Sequence, residues 1–339
     1  MNLKDCTLIF LGRYLRDVRG VDPNTILSYK TALKSFIPYA VRYLSKNLNK
    51  IDVSDITVDL VLDFLDYLEK VKKNGTRTRN QRLAAIRSMA RMILLMAPEH
   101  RETADRILTI PVKRAQKSLF GYLTHEEVMK VFEIIDLKRK AGFRDYTMLH
   151  FLFDSGARAS EVAGLRVSAF IPKEKQIGIL GKGNQFRIVQ LWPRTTDLMV
   201  RYLAEYREIP KPVFQNRFFI NQRREGFTRH GVYRICDKYL KKVLPENRRK
   251  NLEAAHCFRH SCAVDMLANG SPISDIKNHL GHQDIKSTMI YLRLDLSRRR
   301  EVQKKFIDYT ETIIKNDPKI DELIDWGNKD ELLDWLDNL

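Results

Sequence analysis

Apolar residues recur every three or four positions over the first hundred residues, a spacing that predicts a set of amphipathic helices. One run follows the helix start signal Asp22-Pro23-Asn24. Its inward positions are Ile26, Tyr29, Leu33, Phe36, Ala40 and Leu44. A second run begins after Asp55 and stops at Asn74-Gly75. Its inward positions are Val58, Val61, Leu65, Leu68 and Val71.

A third run combines a buried apolar stripe with a basic surface. It begins near Thr76 or Thr78, and its inward positions are Leu83, Ile86, Ala90 and Ile93. Its outward side is expected to carry five arginines, Arg77, Arg79, Arg82, Arg87 and Arg91. Such a face can be solvated, or it can lie against the phosphates of DNA. The charge of the whole chain supports the DNA interpretation.

Helical periodicity fails between about Ile110 and Gly121, where a short, basic and polar stretch predicts an interdomain linker. A second domain begins with a capping box, in which Thr124 and Glu127 can bond each other's free backbone N–H groups. His125 then lies at the surface of a first helical turn and receives no catalytic role. The predicted division is a helical domain over residues 1–110, a linker over 111–121, a second domain over 122–300 and a tail over 301–339.

One segment of the second domain alternates between apolar and polar residues. It runs from about Lys175 to Pro193 around Gly181-Lys182-Gly183-Asn184, and it predicts a β-hairpin with Lys182 near its tip. The alternating positions are Ile177, Ile179, Phe186, Ile188 and Gln190. Helical patterns resume near Thr228, at Ala263–Asn269, after Pro272 to Leu280 and around Tyr291. The predicted fold is therefore mainly α with a small β-hairpin or sheet.

Charge divides the chain into a basic body and an acidic end. The 60 Lys and Arg against 42 Asp and Glu give a formal net charge of +18. From Glu301 onward there are five basic and eleven acidic residues, so the first 300 residues carry 55 basic and 31 acidic ones. This concentration makes a polyanion the leading partner, whether DNA, RNA or an anionic membrane surface. No window approaches the roughly 20 apolar residues of a membrane span, so we expect a cytoplasmic protein without a membrane partner.

The four cysteines do not form the paired CxxC pattern of a structural zinc site. They are Cys6, Cys236, Cys257 and Cys262. Neither disulfides nor a bound metal are expected, and buried reduced thiols are the simplest interpretation.

Chemically versatile side chains gather near the end of the second domain. His256-Cys257-Phe258-Arg259-His260 is followed by Leu280-Gly281-His282 and, nine residues later, by Tyr291. A phenol can attack the phosphorus of a phosphodiester while cationic and hydrogen-bonding groups hold the non-bridging oxygens. Taken singly, each of these side chains would more often pack in a core or cap a helix.

Order and spacing make the set more specific. The series runs as Arg158 with Glu161, the hairpin Lys182, His256-x-x-Arg259-His260, Leu-Gly-His282 and Tyr291. From about Leu123 to Tyr291 it resembles the tyrosine recombinase or integrase family, which includes phage integrases and chromosome-dimer-resolving recombinases. The N-terminal helices resemble that family's core-binding domain less specifically. One departure is Arg293, where many relatives carry histidine.

The resemblance implies a chemical role for four of the matched residues. Tyr291 matches the nucleophile, which forms a 3′-phosphotyrosyl link and frees a 5′-hydroxyl without ATP, a divalent metal or any other cofactor. Arg158 and Arg259 match the two arginines that clamp the non-bridging oxygens with planar, bidentate geometry. Lys182 matches the hairpin lysine that protonates the departing 5′-oxygen.

The resemblance implies assisting roles for the other matched residues. His256 matches a histidine that aids proton transfer at the nucleophile or bonds a phosphate oxygen. His282 matches a position that donates to phosphate and supports the pocket. Glu161 matches an acidic residue that orients the neighbouring cations, and His260 fits a position that supports structure.

The resemblance also implies an architecture and an assembly. The core-binding and mixed α/β catalytic domains would form a two-domain C-shaped clamp on double-stranded DNA with a core site of inverted repeats. Recombination would proceed in a synaptic tetramer through a Holliday junction. The acidic tail would dock on a neighbouring protomer, or fold back on its own basic domain.

Two other functions fit parts of the pattern. A type IB topoisomerase uses a similar residue set, although the compact N-terminal helices and the Leu-Gly-His282 spacing favour a recombinase. A catalytically silent helical DNA-binding regulator would keep the fold, but the complete residue set counts against it. The sequence leaves open the DNA target and the choice among integration, excision, transposition and dimer resolution.

Overall fold

The computed structural model describes residues 1–115, 120–181 and 185–291. Lys182, Arg293 and the acidic tail lie outside the described residues. The chain divides into two compact units at the boundary between residues 118 and 119. Within the described residues the fold is mostly helical with one small antiparallel sheet, as the sequence predicts.

The first unit is built from helices. They are α1 (Leu3–Ile9), which continues into a π-helical segment (Phe10–Val18), α2 (Pro23–Leu44), α3 (Val58–Lys70), α4 (Thr76–Met96) and α5 (Arg101–Thr109). The three helices predicted from periodicity are confirmed. Asp22 caps α2 by accepting a 2.8 Å hydrogen bond from the backbone N–H of Asn24. The pattern did not predict α1 or α5.

Aromatic packing fixes the centre of the first unit. Phe36 of α2 and Phe64 of α3 are fully buried, and their rings meet edge to face at 5.1 Å. The prediction that Val71 faces inward is wrong, because α3 ends at Lys70 and Val71 is 64% exposed. The other inward positions predicted for α3 are buried or half-buried.

The basic face of α4 is narrower than predicted. Arg79 is buried, with 8% of its surface exposed, so its assignment to the exposed face is wrong. Steps of four and three from Arg79 lead to Leu83 and Ile86, which places it on the apolar stripe. Its Nε lies 3.6 Å from the carboxylate of Glu69. Of the other four arginines, two are exposed and two half-buried: Arg77 and Arg91, then Arg82 and Arg87.

The described part of the second unit combines helices with one small sheet. The helices are α6 (His125–Glu133), α7 (Lys140–Ser155), α8 (Ala159–Gly164), α9 (Pro193–Arg201), α10 (Arg229–Val243), α11 (Glu246–Arg249), α12 (His256–Ala268), α13 (Ile273–Leu280) and α14 (Lys286–Met289). The strands are β1 (Phe170–Ile171), β2 (Gln176–Leu180) and β3 (Phe186–Gln190), paired antiparallel in that order. The capping box at α6 and the hairpin of β2 and β3 are confirmed.

The central helix α7 is buried on all sides from Phe143 to Ser155 except at Tyr146, which is half-buried. It ends at Gly156, whose φ of +57° suits glycine because a side chain is strained there. A Cβ at this position would also lie 2.4 Å from the Leu280 side chain. This close approach brings the start of α8 next to the end of α13.

Helix α12 begins earlier than predicted, at His256 and not near Ala263. Its first two turns bury Cys257, Phe258, Arg259 and Cys262 on more than one side, so they lack the one-sided pattern of an amphipathic helix. Helix α13 ends in a left-handed cap at Gly281, which has a φ of +67°. None of the described helices is both long enough and apolar enough to cross a bilayer.

Candidate active site

Six of the predicted catalytic and supporting residues line one open cleft of the second unit, of about 410 Å³. It is lined by Arg158, His256, Arg259, His260, His282 and Tyr291, together with Lys286, Ser287 and Ile290. Arg158 directly precedes α8, and His282 follows α13. Helix α12 carries His256, Arg259 and His260, and α14 with the turn after it supplies the rest. Lys182, predicted at the tip of the hairpin, lies outside the described residues.

Arg158 stands at the start of α8 and is held there by Glu161. Its Nη1 donates to Oε1 of Glu161 at 2.7 Å, and its backbone N–H donates to Oε2 at 3.0 Å. The Arg158 side chain keeps 30% of its surface exposed, whereas that of Glu161 keeps 2%. Glu161 therefore orients a guanidinium that remains open to the cleft.

Arg259 is fixed by backbone carbonyls. Its Nη1 donates to the Gly156 carbonyl at 2.6 Å and its Nη2 to the Leu280 carbonyl at 2.8 Å. It is only 3% exposed. Burial, reinforced by the charge of Arg158, lowers the pKa of Arg259 to about 10, which leaves it charged at neutral pH. The two arginines thus bring concentrated positive charge to one cleft.

Tyr291 lies in the turn after α14 and is 1% exposed. Its hydroxyl is 2.9 Å from Nδ1 of His260, a residue expected only to support structure. The Phe120 ring packs against both rings. Its centroid lies 4.6 Å from that of His260 and 5.0 Å from that of Tyr291. Burial raises the pKa of Tyr291 to about 12, because the phenolate loses its hydration. The phenol therefore has a direct proton acceptor only when the His260 ring is neutral.

The histidines of the cleft are neutral at physiological pH. Burial, followed by the charges of His256 and Arg259, lowers the pKa of His260 to about 4. Burial and then the positive charges of Arg259 and Arg158 lower the pKa of His282 to about 4. The pKa of His256 is also lowered, chiefly by burial. Nδ1 of His282 lies 2.8 Å from the Thr288 hydroxyl, which fixes the ring.

Sequence reasoning missed Arg187 of β3. Its Nη2 donates to Oε2 of Glu161 at 2.8 Å, and its Nε donates to the His279 carbonyl at 3.0 Å. An available signal was its place between Phe186 and Ile188, since alternation puts an intervening residue on the opposite face of the sheet. Phe186 and Ile188 are exposed, and the Arg187 side chain is 11% exposed.

The four cysteines are free, buried thiols, as predicted. Burial raises the pKa of Cys6 and of Cys257 to about 12, and it also raises the pKa of Cys236 and of Cys262. Thiolate chemistry at neutral pH is therefore disfavoured at all four.

Profiles of two known families match the chain. The phage integrase family matches residues 121–298, and the phage integrase N-terminal SAM-like domain matches residues 11–94. The chain belongs to the phage integrase family, a family of tyrosine-type DNA recombinases.

Relatives along nearly the whole chain agree with this assignment. The chain is 30% identical over 304 residues to the putative integrase/recombinase y4rC of Sinorhizobium fredii strain NGR234, covering 89% of this chain and 90% of that protein. It is 28% identical over 290 residues to the tyrosine recombinase XerD of Listeria innocua, covering 85% of this chain and 94% of that protein. The fold is similar to that of the XerH site-specific recombinase bound to palindromic difH substrate in a post-cleavage complex. That match has a TM-score of 0.68 and 22% identity, and it covers 84% of this chain and 80% of XerH.

Proposed function

We propose that this protein is a site-specific recombinase that cleaves and rejoins double-stranded DNA through a 3′-phosphotyrosyl intermediate. The observation that carries the proposal is the convergence of Tyr291, Arg158 and Arg259 on one cleft. The phenol supplies a nucleophile, and the two guanidiniums match the charge and geometry of a phosphodiester in its transition state.

In the first step the scissile phosphoryl group is transferred from a 5′-oxygen of DNA to the enzyme. The Tyr291 oxygen attacks phosphorus, the bond from phosphorus to the 5′-oxygen breaks, and the departing oxygen takes up a proton. Lys182 is the residue that we assign to donate this proton. The phenolic proton passes to Nδ1 of the neutral His260, which lies at hydrogen-bonding distance. Attack by the 5′-hydroxyl of a partner strand reverses these events.

The cleft divides phosphate binding between a fixed and an adjustable arginine. Arg259 is buried and bonded to two carbonyls, so its position is set before DNA binds. Arg158 is more exposed and has one side-chain bond, to Glu161. His282 and His256 add neutral hydrogen-bonding groups beside them. Preorganised donors of this kind favour the transition state because little reorganisation is needed during the reaction.

Access to Tyr291 requires a local movement, because its side chain is 1% exposed. Helix α14, which precedes Tyr291, is 4 residues long, and the ring of Phe120 packs against one side of the tyrosine ring. We infer that DNA binding and assembly displace this turn and bring the phenol to the phosphate. Cleavage would then depend on assembly and not on collision with free DNA alone.

Double-stranded DNA with a core site of inverted repeats is the proposed substrate. The formal charge of +18 and the exposed Arg77 and Arg91 of the first unit support a polyanion. The palindromic difH substrate of XerH supports a site with inverted repeats. Two protomers on such a site would form a dimer, and two sites would form a synaptic tetramer that resolves through a Holliday junction. The proposed location is the cytoplasm, in contact with DNA.

The acidic tail from Glu301 is proposed to link neighbouring protomers. It carries eleven acidic and five basic residues, with apolar side chains such as Phe306 and Trp335, and so complements a basic partner. Removal of residues 301–339 should weaken self-association on DNA more than it changes folding. Sedimentation of protein–DNA complexes tests this, and unchanged assembly together with unchanged recombination contradicts the tail's role.

Selection for covalent adducts tests the enzymatic proposal without knowledge of the target. Nicked duplexes with randomised arms are incubated with the protein, and DNA that stays attached in denaturing detergent is sequenced over successive rounds. The wild-type protein should enrich a pair of inverted repeats. Tyr291→Phe, which keeps the ring and removes the hydroxyl, should enrich none. Absence of any detergent-resistant adduct from the wild type contradicts the proposal.

Two products distinguish a recombinase from a topoisomerase of similar chemistry. A plasmid with two copies of the selected site should yield resolved or inverted products if strands are exchanged between sites. Relaxed circles without exchange would instead support a type IB topoisomerase.

A further inference from the structure

We propose that Arg187 is a positioning residue that keeps the Arg158 guanidinium available to the scissile phosphate. This inference rests on the function proposed above, because it assigns a phosphate to the cleft. Arg187 itself contacts a carboxylate and a backbone carbonyl, and both lie next to groups of the cleft.

Arg158 and Arg187 share the carboxylate of Glu161. Oε1 of Glu161 accepts from Nη1 of Arg158 at 2.7 Å, and Oε2 accepts from Nη2 of Arg187 at 2.8 Å. The Glu161 side chain is only 2% exposed. Burial by itself raises its pKa, but the hydrogen bonds and charges, first those of Arg187 and then those of Arg158, bring the pKa below its usual value. Glu161 is therefore an ionised carboxylate that needs its cations.

The two arginines compete for the Glu161 oxygens. An arginine and a carboxylate pair most strongly when two N–H groups meet two oxygens. Oε2 accepts from Arg187 as well as from the backbone N–H of Arg158, so the Arg158 side chain makes one bond to Glu161 and leaves its other donors for the cleft. Without Arg187, Glu161 would draw Arg158 into a two-bond pair. The guanidinium would then turn from the phosphate toward its own helix.

Arg187 makes its other contact at the end of α13. Its Nε bonds the His279 carbonyl, while Arg259 bonds the Leu280 carbonyl one residue further on. A Cβ added to Gly281 would lie 2.9 Å from Cδ of Arg187, so the strand arginine packs directly on the turn before His282. Arg187 thus connects β3 through Glu161 to Arg158. Its other contact connects β3 to the end of α13.

The test compares two substrates that differ at the scissile phosphate. Nicked duplexes of the adduct-selected site are made with a normal phosphate or with a methylphosphonate, which replaces one charged oxygen by a methyl group. Arg158 has less charge to stabilise on the neutral substrate. Arg187→Ala should therefore slow single-turnover cleavage of the phosphate by about 100-fold, but of the methylphosphonate by less than about tenfold.

Arg207→Ala is the matched control for a purely structural loss. Arg207 bonds the backbone carbonyls of Gln215, Arg217 and Phe218 in the same unit, and it does not line the cleft. Its removal should affect both substrates equally. In addition, Arg187→Ala combined with Arg158→Ala should cleave the phosphate no more slowly than Arg158→Ala alone, because both changes remove the same interaction. Equal losses of Arg187→Ala on both substrates, or additive losses in the double variant, overturn the proposal.

A second pair of variants keeps the test available if Arg187→Ala does not fold. Arg187→Gln leaves the Glu161 charge free to capture Arg158. Adding Glu161→Gln removes that charge, so the double variant should cleave the phosphate faster than Arg187→Gln alone. An equal or slower rate overturns the proposal. Wild-type protein that forms no adduct with the phosphate would instead refute the enzymatic function, so the two failures are distinguishable.

Discussion

The Nδ1 atom of His260 lies 2.9 Å from the hydroxyl oxygen of Tyr291. His256 and His260 are one helical turn apart on α12, with ring centroids separated by 6.1 Å. The family pattern directs attention to His256 as the histidine near the nucleophile. In this protein the direct partner of the phenol is His260.

Replacing His260 by phenylalanine tests its role as the proton acceptor. His260→Phe keeps a ring against Phe120 and removes the nitrogen that faces Tyr291. We expect single-turnover cleavage to fall on the order of 100-fold, the lower range for a positioned acid or base, with DNA affinity unchanged. His125→Phe is the control, since His125 lies on the surface of α6 and outside the cleft. An unchanged cleavage rate for His260→Phe would return this residue to a structural role.

The two clamp arginines should differ in what their loss does to folding. Arg158→Ala and Arg259→Ala should each reduce cleavage by on the order of 100-fold or more while leaving site binding largely intact at moderate salt. Arg259→Ala should also lower the melting temperature, because two buried carbonyls lose their donor. Arg158 is more exposed, so its loss should affect melting less. Loss of DNA binding in both variants would show that the arginines serve affinity.

Acid should destabilise the second unit through its buried histidines. Burial, ahead of nearby cationic groups, lowers the pKa of His150, His260 and His282 to about 4. An unfolded histidine titrates near 6.5, so the unfolded chain binds more protons below that pH and stability falls as pH drops from about 6.5 to about 4. Asp154 opposes this trend, because burial raises its pKa to about 6. Because three histidines destabilise the folded protein in acid and one aspartate stabilises it, the net effect of these groups is destabilising.

Urea unfolding between pH 7 and pH 5 measures this dependence. His282→Gln can keep a hydrogen bond to Thr288 and removes one titrating group, so it should reduce the pH dependence. A dependence as steep as that of the wild type would show that His282 is not held neutral in the folded protein.

The arginines of α4 should separate into DNA-binding and structural groups. Arg77 and Arg91 are exposed, and replacing either by alanine should weaken DNA binding and reduce the salt dependence by about one phosphate contact. Arg79→Ala should instead lower the free energy of unfolding by about 1–3 kcal/mol, since Arg79 is buried beside Glu69. Nζ of Lys113 lies 2.8 Å from Oε2 of Glu69 and would still pair with it, which limits the loss of stability. Salt titrations of binding together with urea unfolding check both results, and a reversed pattern would contradict the assignment.

Local sequence patterns predicted the elements whose buried face is one-sided. Helices α2, α3 and α4 and the hairpin of β2 and β3 all follow from the spacing of apolar residues and from turn residues. The start of α12 was not, because its first turns are buried on several sides and mix cysteine, histidine and arginine. The burial of Arg79 was also missed, since a long charged side chain can occupy an apolar stripe when a carboxylate lies beside it.

The sequence predicted several residues of the site but not the hydrogen bonds between them. The family motif includes six of the side chains that line the cleft, but Tyr291 and His260 are 31 positions apart and Arg187 and Glu161 are 26 apart. Arg187 and the His279 carbonyl are 92 apart. Such pairings depend on how α12, β3 and α13 pack, which no local spacing encodes. The alternation along β3 places Arg187 opposite Phe186 and Ile188, but it does not identify the groups that Arg187 bonds.

Mass spectrometry of the trapped adduct identifies the residue that is joined to DNA. Protein captured on a nicked duplex of the selected site is digested with trypsin and nuclease, and the peptide that retains a nucleotide is fragmented to locate it. We expect a 3′-linked nucleotide on Tyr291 and a free 5′-hydroxyl on the released strand. A nucleotide on any other residue, or a 5′-linked nucleotide on Tyr291, would contradict it.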